Sequence, residues 1–351
     1  MENKANEQEL KHVDMLLGQC NATMRDTAND FIRICQNPGP RISTGNLELD
    51  KALAGGLSNE LYVLGAETST GKSAFVMHIA QNIAKSGIDV LYFALEMGRM
   101  EFYARGISEI SYKSQLENRH SRAFTAGDVL YWSYDEDLQD FTWINYEMYK
   151  EHLEEYLDTY GDHLRVIEGD QEGLTVTDVA NAATLFKRKT GKTPVVIVDY
   201  LQLLRPKDGD FSQADRKTKT DVIITTLKTL SSQIGMPVIA ISSLSRSGYG
   251  TNVSSTSFKE SGDIEYTSGV LLGWNWDGVT NAKEEDAKEE MKRCNDRHYR
   301  IMTLEVLKFR NGKRNGLVKF KYYPAYNYFT AYTKEDEKKE KEENNRLRDF
   351  S

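Results

Sequence analysis

From about residue 61 the chain alternates short, unbroken apolar runs with longer stretches in which apolar residues return every three or four positions. Leu61–Leu64, Val90–Ala94, Val195–Val198 and Val238–Ile241 lack polar alternation and are rich in β-branched residues, which predicts strands covered on both faces. The stretch from Lys72 to Lys85, another from Met100 and a third over about Lys219–Gln233 carry helical spacing. Val270–Trp274, Ile301–Lys308 and Leu317–Tyr323 predict further strands, with a hairpin turn at Asn311-Gly312 or Asn315-Gly316. Strands alternating with helices predict an α/β fold: a mostly parallel central sheet flanked by helices.

The flanks read differently. Leu10, Val13, Leu16 and Leu17, then Ala28, Phe31, Ile32 and Ile34, fall at helical spacing before Asn37-Pro38-Gly39-Pro40 breaks the chain. Residues 1–40 are therefore expected to form a short helical arm or linker, too small to bury a core alone, and residues 41–332 the main domain. Residues 111–162, polar and aromatic, are expected to form an insertion between core strands. The stretch 283–297 predicts a charged surface helix, and mixed charges over 333–351 predict a solvated tail.

Composition narrows the classes. Lys and Arg total 45 against 53 Asp and Glu, a formal net charge of −8, which excludes a protein coated in cations for nucleic acid over its whole surface but leaves room for a local basic channel. No run is long and apolar enough to span a bilayer, and Met1–Gln8 is too polar for a secretory leader. Cys20, Cys35 and Cys294 are scattered and odd in number, as reduced thiols would be, so a cytoplasmic protein is expected. No histidine stands at metal-ligand spacing.

The chemistry concentrates at the ends of the predicted strands. Ala66-Glu67-Thr68-Ser69-Thr70-Gly71-Lys72-Ser73 follows one strand and opens a helix, the context of a phosphate-binding Walker A loop. Its backbone N–H groups would cradle phosphates, Lys72 would reach the β- and γ-phosphates of ATP, and Ser73 would hold Mg²⁺. The strict pattern begins with glycine; here it begins with Ala66, after Gly65. Asp199, closing Val195–Val198, would hold the same ion in the Walker B manner. Glu96, closing the strand at residue 94, is the candidate for orienting the attacking water.

These residues, with others in order along the chain, resemble the motor domain of DnaB-type replicative helicases. The resemblance is carried by Ile42-Ser-Thr-Gly45 with Leu49-Asp50, the loop 66–73, Leu95-Glu96-Met97, Asp199-Tyr-Leu-Gln-Leu203, Ala240-Ile-Ser-Ser-Leu-Ser-Arg246, Lys259-Glu-Ser-Gly262 with Ile264-Glu265, and Lys308-Phe-Arg310-Asn-Gly312. It implies a RecA-like fold and a ring, usually of six subunits, that moves 5′–3′ on single-stranded DNA and separates the duplex. It implies that Glu96 is the catalytic carboxylate and that Lys308 and Arg310 reach into the neighbour's ATP site. It also implies a primase or helicase loader as candidate partners. In this family Ser243 is usually Gln, coupling γ-phosphate state to the DNA loops, and a polar, acidic stretch replaces Tyr266-Thr-Ser-Gly269. The family's N-terminal, primase-docking domain is expected to be missing, and residues 1–36 resemble its linker helix.

DNA contact is expected from two loops after core strands, one with Arg205, Lys207, Arg216, Lys217 and Lys219, the other with Arg246. Two other readings fit a RecA-like core: a nucleotide-switched regulatory, recombination or assembly ATPase of the KaiC or RadA kind, and a non-catalytic scaffold. Intact Lys72, Glu96 and Asp199 argue against the last.

Overall fold

The structure is a computed structural model, and it describes residues 22–37, 39, 41–119, 122–131, 133–135, 140–142, 146–169, 173–206, 214–244, 250–258, 262–310, 312 and 316–349. Leu10, Val13, Leu16, Leu17, Cys20, Lys207, Arg246, Lys259 to Ser261, Asn311 and Asn315 lie outside the described residues. The chain divides into two compact units, Met1–Arg41 and Ile42–Ser351.

In the first unit, helix α1 (Met24–Gln36) starts at a capping box in which Thr23 and Asp26 bond each other's backbone N–H groups. It buries no residue. Phe31 and Ile34 are 68% and 64% exposed, so its apolar stripe is solvated.

The second unit is built on a nine-stranded sheet. Its strands in chain order are β1 (Leu61–Ala66), β2 (Val90–Ala94), β5 (Leu164–Glu168), β6 (Val195–Asp199), β7 (Val238–Ser243), β8 (Val270–Trp276), β9 (Arg300–Phe309), β10 (Leu317–Tyr323) and β11 (Tyr328–Ala331). They lie in the order β11-β10-β9-β8-β1-β7-β6-β2-β5. Pairing from β8 through β5 is parallel. The remaining strands run antiparallel on the β8 side. β3 (Ser133–Asp135) and β4 (Asp140–Thr142) form a separate hairpin.

Every residue of β1, β2 and β6 is buried, as their unbroken apolar runs require. One core layer packs α3 (Lys72–Lys85) against the sheet through Phe75, Ile79 and Ile83. The other packs α7 (Val176–Thr190) and α8 (Arg216–Gln233) through Val179, Ala183, Ile224 and Leu227. Between β2 and β5 lie α4 (Arg99–Leu116), α5 (Ala126–Leu130) and α6 (Lys150–Tyr156), the last running into a turn of π-helix at Leu157–Gly161. The short helix α2 (Leu47–Ala52) precedes β1, α9 (Gly262–Thr267) precedes β8, α10 (Glu284–Arg297) precedes β9, and α11 (Lys334–Asp349) follows β11. Among the described residues no helix is long and apolar enough to cross a membrane.

The segment before β1 seats the helix that follows it. Asp50 accepts hydrogen bonds from the Thr44 amide (2.8 Å) and hydroxyl (2.7 Å). The Thr44 carbonyl then accepts from Asn82 of α3 at 3.1 Å. Gly45 passes beneath Asn82 at φ +81°, where a Cβ would lie 2.5 Å from the amide. That close approach accounts for glycine in the Ser-Thr-Gly run.

Candidate functional site

In a parallel sheet the loops that leave the carboxyl ends of the strands converge on one edge. β1, β2, β6 and β7 deliver the loop 66–73, Glu96, Asp199 and Ser243 to that edge. Gly71 adopts φ +85° immediately before α3. A Cβ there would sit 2.6 Å from the Tyr322 ring of β10, so the loop has room only for glycine. Ser69 also has positive φ, +63°. Trp274 of β8 donates from Nε1 to the Thr70 carbonyl at 3.0 Å, and its ring stacks on Phe75 at 4.2 Å. The loop is thus clamped from below by an indole, and the first turn of α3 is fixed against the same ring. Arg300 reaches the Ser69 carbonyl at 3.5 Å and lies over the Trp276 ring at 4.2 Å.

The hydroxyl of Ser73 and the carboxylate of Asp199, 126 positions apart in sequence, meet at 3.2 Å. The second carboxylate oxygen of Asp199 accepts from the Tyr92 phenol at 2.8 Å. Burial pushes the Asp199 carboxyl above its ordinary range, against the Tyr92 and Ser73 hydrogen bonds that hold it down. Burial, and the Asp199 charge next to it, push the Tyr92 phenol well above 10.0. Lys72 is 8% exposed. Among the described residues no group of three or more His, Cys, Asp or Glu is arranged to hold a metal ion. One carboxylate and one hydroxyl are what Mg²⁺ takes when phosphate oxygens and waters complete its shell, so Ser73 and Asp199 fit that ion.

Glu96 is exposed, in the turn after β2. The backbone just beyond it is pinned: Glu168 accepts from the Arg99 amide at 2.7 Å, and Glu101 from the Gly98 amide at 3.1 Å. Glu96 and Glu168 line a cleft of about 350 Å³. Ser243 stands beside Ala66 in the β1–β7 register.

Lys308 and Arg310 are not at this edge. Phe309 pairs with Val270 at the start of β8, whereas Leu304 pairs with Trp274 beside Ala66. Lys308 pairs with Leu271, three residues of β8 or about 10 Å from the row of Ala66, and its side chain turns towards the opposite edge of the sheet. There Lys308 donates to the carbonyls of Glu265, Tyr266 (3.1 Å) and Ser268 (2.8 Å), and Arg310 donates to that of Tyr266 (2.9 Å). Both cations cap the carboxyl end of α9, whose carbonyls lack helical partners.

Of the expected DNA contacts, Arg205 is exposed, joined to the turn before α7 by a bond to the Gly173 carbonyl at 3.1 Å. Arg216 and Lys217 are exposed in the first turn of α8, behind its Asp215 cap. Tyr92, Trp274, Tyr322 and Arg105 were not singled out by sequence. Arg105, on α4, is half-buried; burial pushes the pKa values of Tyr92 and Tyr322 up, and the positive charge of Arg105 opposes that rise at both.

Residues 41–331 match the family model described as DnaB-like helicase C terminal domain. The replicative DNA helicase DnaB of Haemophilus influenzae is 30% identical over 70% of this chain and 48% of its own length. The chain thus spans about half of that relative. Two solved structures, each 21% identical, share the fold. The ATPase domain of G40P has a TM-score of 0.65 over 89% of this chain and 99% of its own. A DnaB-like replicative helicase, described with its interactions with primase, has a TM-score of 0.66 over 88% of this chain and 67% of its own.

Proposed function

Because this chain belongs to the family of DnaB-like helicase C terminal domains, we propose that it is the motor of an ATP-driven DNA helicase. It works as a ring, with six subunits the expected number, and translocates 5′–3′ on single-stranded DNA. In this reading the loop 66–73 binds the triphosphate, Lys72 contacts its β- and γ-phosphates, and Ser73 and Asp199 hold Mg²⁺. The ion, when bound, neutralises charge developing on the phosphoryl oxygens. Glu96, in its open cleft, orients and polarises the attacking water. Ser243 lies beside the γ-phosphate end of the loop. Arg205, Arg216 and Lys217 offer cations to the DNA backbone. A primase, with which one solved structure of the same fold is described, or a helicase loader is the proposed partner class.

The observation that carries this reading is the separation of Lys308 and Arg310 from their own phosphate loop. Two cations held on the far side of the sheet do not reach the phosphate loop of their own chain, and in this reading they serve that of a neighbour. A cation supplied in trans to transferring phosphoryl groups raises turnover by roughly 10³–10⁵ where it has been measured. The test is ATP turnover with and without single-stranded DNA, beside strand separation on a forked duplex. Stimulated turnover and unwinding are expected, with Glu96→Gln retaining nucleotide binding but hydrolysing at least about 100-fold more slowly. DNA-indifferent turnover without unwinding would instead favour a regulatory or assembly ATPase.

A further inference from the structure

Gln202 stands three residues beyond Asp199, in the single 3₁₀ turn Leu201–Leu203. Its carboxamide grips the end of β7. The Ser243 amide donates to Gln202 Oε1 at 3.1 Å, and Gln202 Nε2 donates to the Ser243 carbonyl at 3.1 Å and to the Ser242 hydroxyl at 2.9 Å. The bonds are reciprocal, a donor and an acceptor on each side, as in a strand pair. The β6–β7 register ends at Val198 and Ala240, three residues short of Ser243. The Gln202 side chain therefore stands in for the strand that β7 lacks beyond that point.

What lies on either side of this clamp gives it a meaning. On its other flank, Ser243 pairs with Ala66, the first residue of the phosphate loop. Downstream, Leu244 and Phe258 pack over Gly65, where a Cβ would fall 2.1 Å from the Phe258 ring. The Gly250 amide donates to Glu67 of the phosphate loop. The segment 245–259, with Arg246, is one of the two expected to face DNA; its residues 250–258 are among those described. Its root is held between the loop that binds phosphates and a residue three positions from the metal-holding carboxylate. The side chain at 243 is a hydroxymethyl, with no carboxamide of its own to span such a gap.

We propose that Gln202 is the positioning residue that ties nucleotide state to the DNA-facing segment. The link runs from Asp199 through the Gln202 carboxamide to the backbone of Ser243. A shift of the β6 end when the γ-phosphate leaves is passed to the root of the 245–259 segment by bonds to main chain, so the identity of side chain 243 is not what carries it. The hydrogen bonds of the Gln202 side chain run to β7, through which it acts.

This inference rests on the helicase reading, and one experiment separates the two. ATP turnover is measured with and without oligo-deoxythymidine for the wild type, Gln202→Met and Gln202→Glu. Oligonucleotide affinity is measured in ADP and in a slowly hydrolysed ATP analogue. Methionine keeps the volume and loses all three bonds; glutamate keeps the acceptor and sets an oxygen against the Ser243 carbonyl. Both variants should hydrolyse ATP without DNA near the wild-type rate. Their DNA stimulation, and the ratio of the two affinities, should fall by roughly 2- to 30-fold, the range of coupling that lost network contacts produce. Equal loss of basal and stimulated turnover would mark a purely structural residue and overturn the proposal, as would full stimulation in Gln202→Met. Should the methionine variant fold poorly, the glutamate variant decides by the same ratios. A wild type indifferent to DNA would overturn the helicase reading together with the coupling.

Discussion

Tyr92 shows how much a single buried side chain can do at the proposed metal pair, Ser73 and Asp199. Its phenol is the donor that orients the Asp199 carboxylate and leaves one oxygen facing Ser73. Removing a hydrogen-bond partner of a metal-holding carboxylate weakens metal binding by about 10–100-fold. Tyr92→Phe should therefore raise the Mg²⁺ concentration for half-maximal ATP turnover by at least about tenfold, and a Mg²⁺ titration of the variant reads this directly. His78, on α3, makes a second prediction. Burial lowers its pKa from 6.5 to about 4, Glu109 and Lys113 face it with opposing effects, and its Nδ1 is buried without a partner. The folded state thus resists a proton that the unfolded chain accepts. Its contribution is intact above pH 6.5 and is lost as pH falls towards about 4. Urea melts across that window should show the decline, flattened in His78→Met. Lys72, Ser73 and Asp199 were legible because a strand, a glycine turn and a strand-terminal acid announce them. Tyr92 and Trp274 were not: each reads as one more apolar strand residue, and its role exists only through a contact more than 100 positions away.

At the scale of elements, periodicity recovered the strands that are buried on both faces. Lys72–Lys85 is a helix from end to end as expected, and β2 has the expected limits. The sequence was less informative at the sheet's margins. β5 is an edge strand whose residues are all at least partly exposed, and its Leu-Arg-Val-Ile-Glu composition lacks a continuous apolar run. β11, at the other edge, is only four residues long. An element that buries one face or less leaves a weaker pattern than one that buries two. The turn between β1 and α3 has its own test. Gly71→Ala would hold a Cβ-bearing residue at φ +85°, at a cost of about 1–2 kcal/mol, and push that Cβ against Tyr322. Lower denaturant stability and loss of nucleotide binding are expected together. Wild-type binding in Gly71→Ala would mean that the loop needs no close approach at this position.

For the molecule as a whole, the proposed ring makes activity a property of the assembly. Arg310→Ala and Lys72→Ala should each abolish turnover alone, one lacking its far-edge cation and the other its phosphate contact. Mixed in equal amounts, they should regain a fraction of wild-type turnover, because some interfaces then join an intact loop to an intact cation. No recovery in mixtures shown by mass to co-assemble would place Arg310 outside the neighbouring site. The same arrangement has a mechanical corollary. β9 begins with Arg300 on the Ser69 carbonyl, carries Lys308 next to its last residue, and is paired with β10, whose Tyr322 underlies Gly71. One stiff ribbon therefore spans from the floor of its own pocket to the cations offered next door, like a beam resting on two supports. In the proposed ring, ligand bound at one end of the ribbon would bear on the other, and adjoining pockets are then expected to fill in sequence rather than independently.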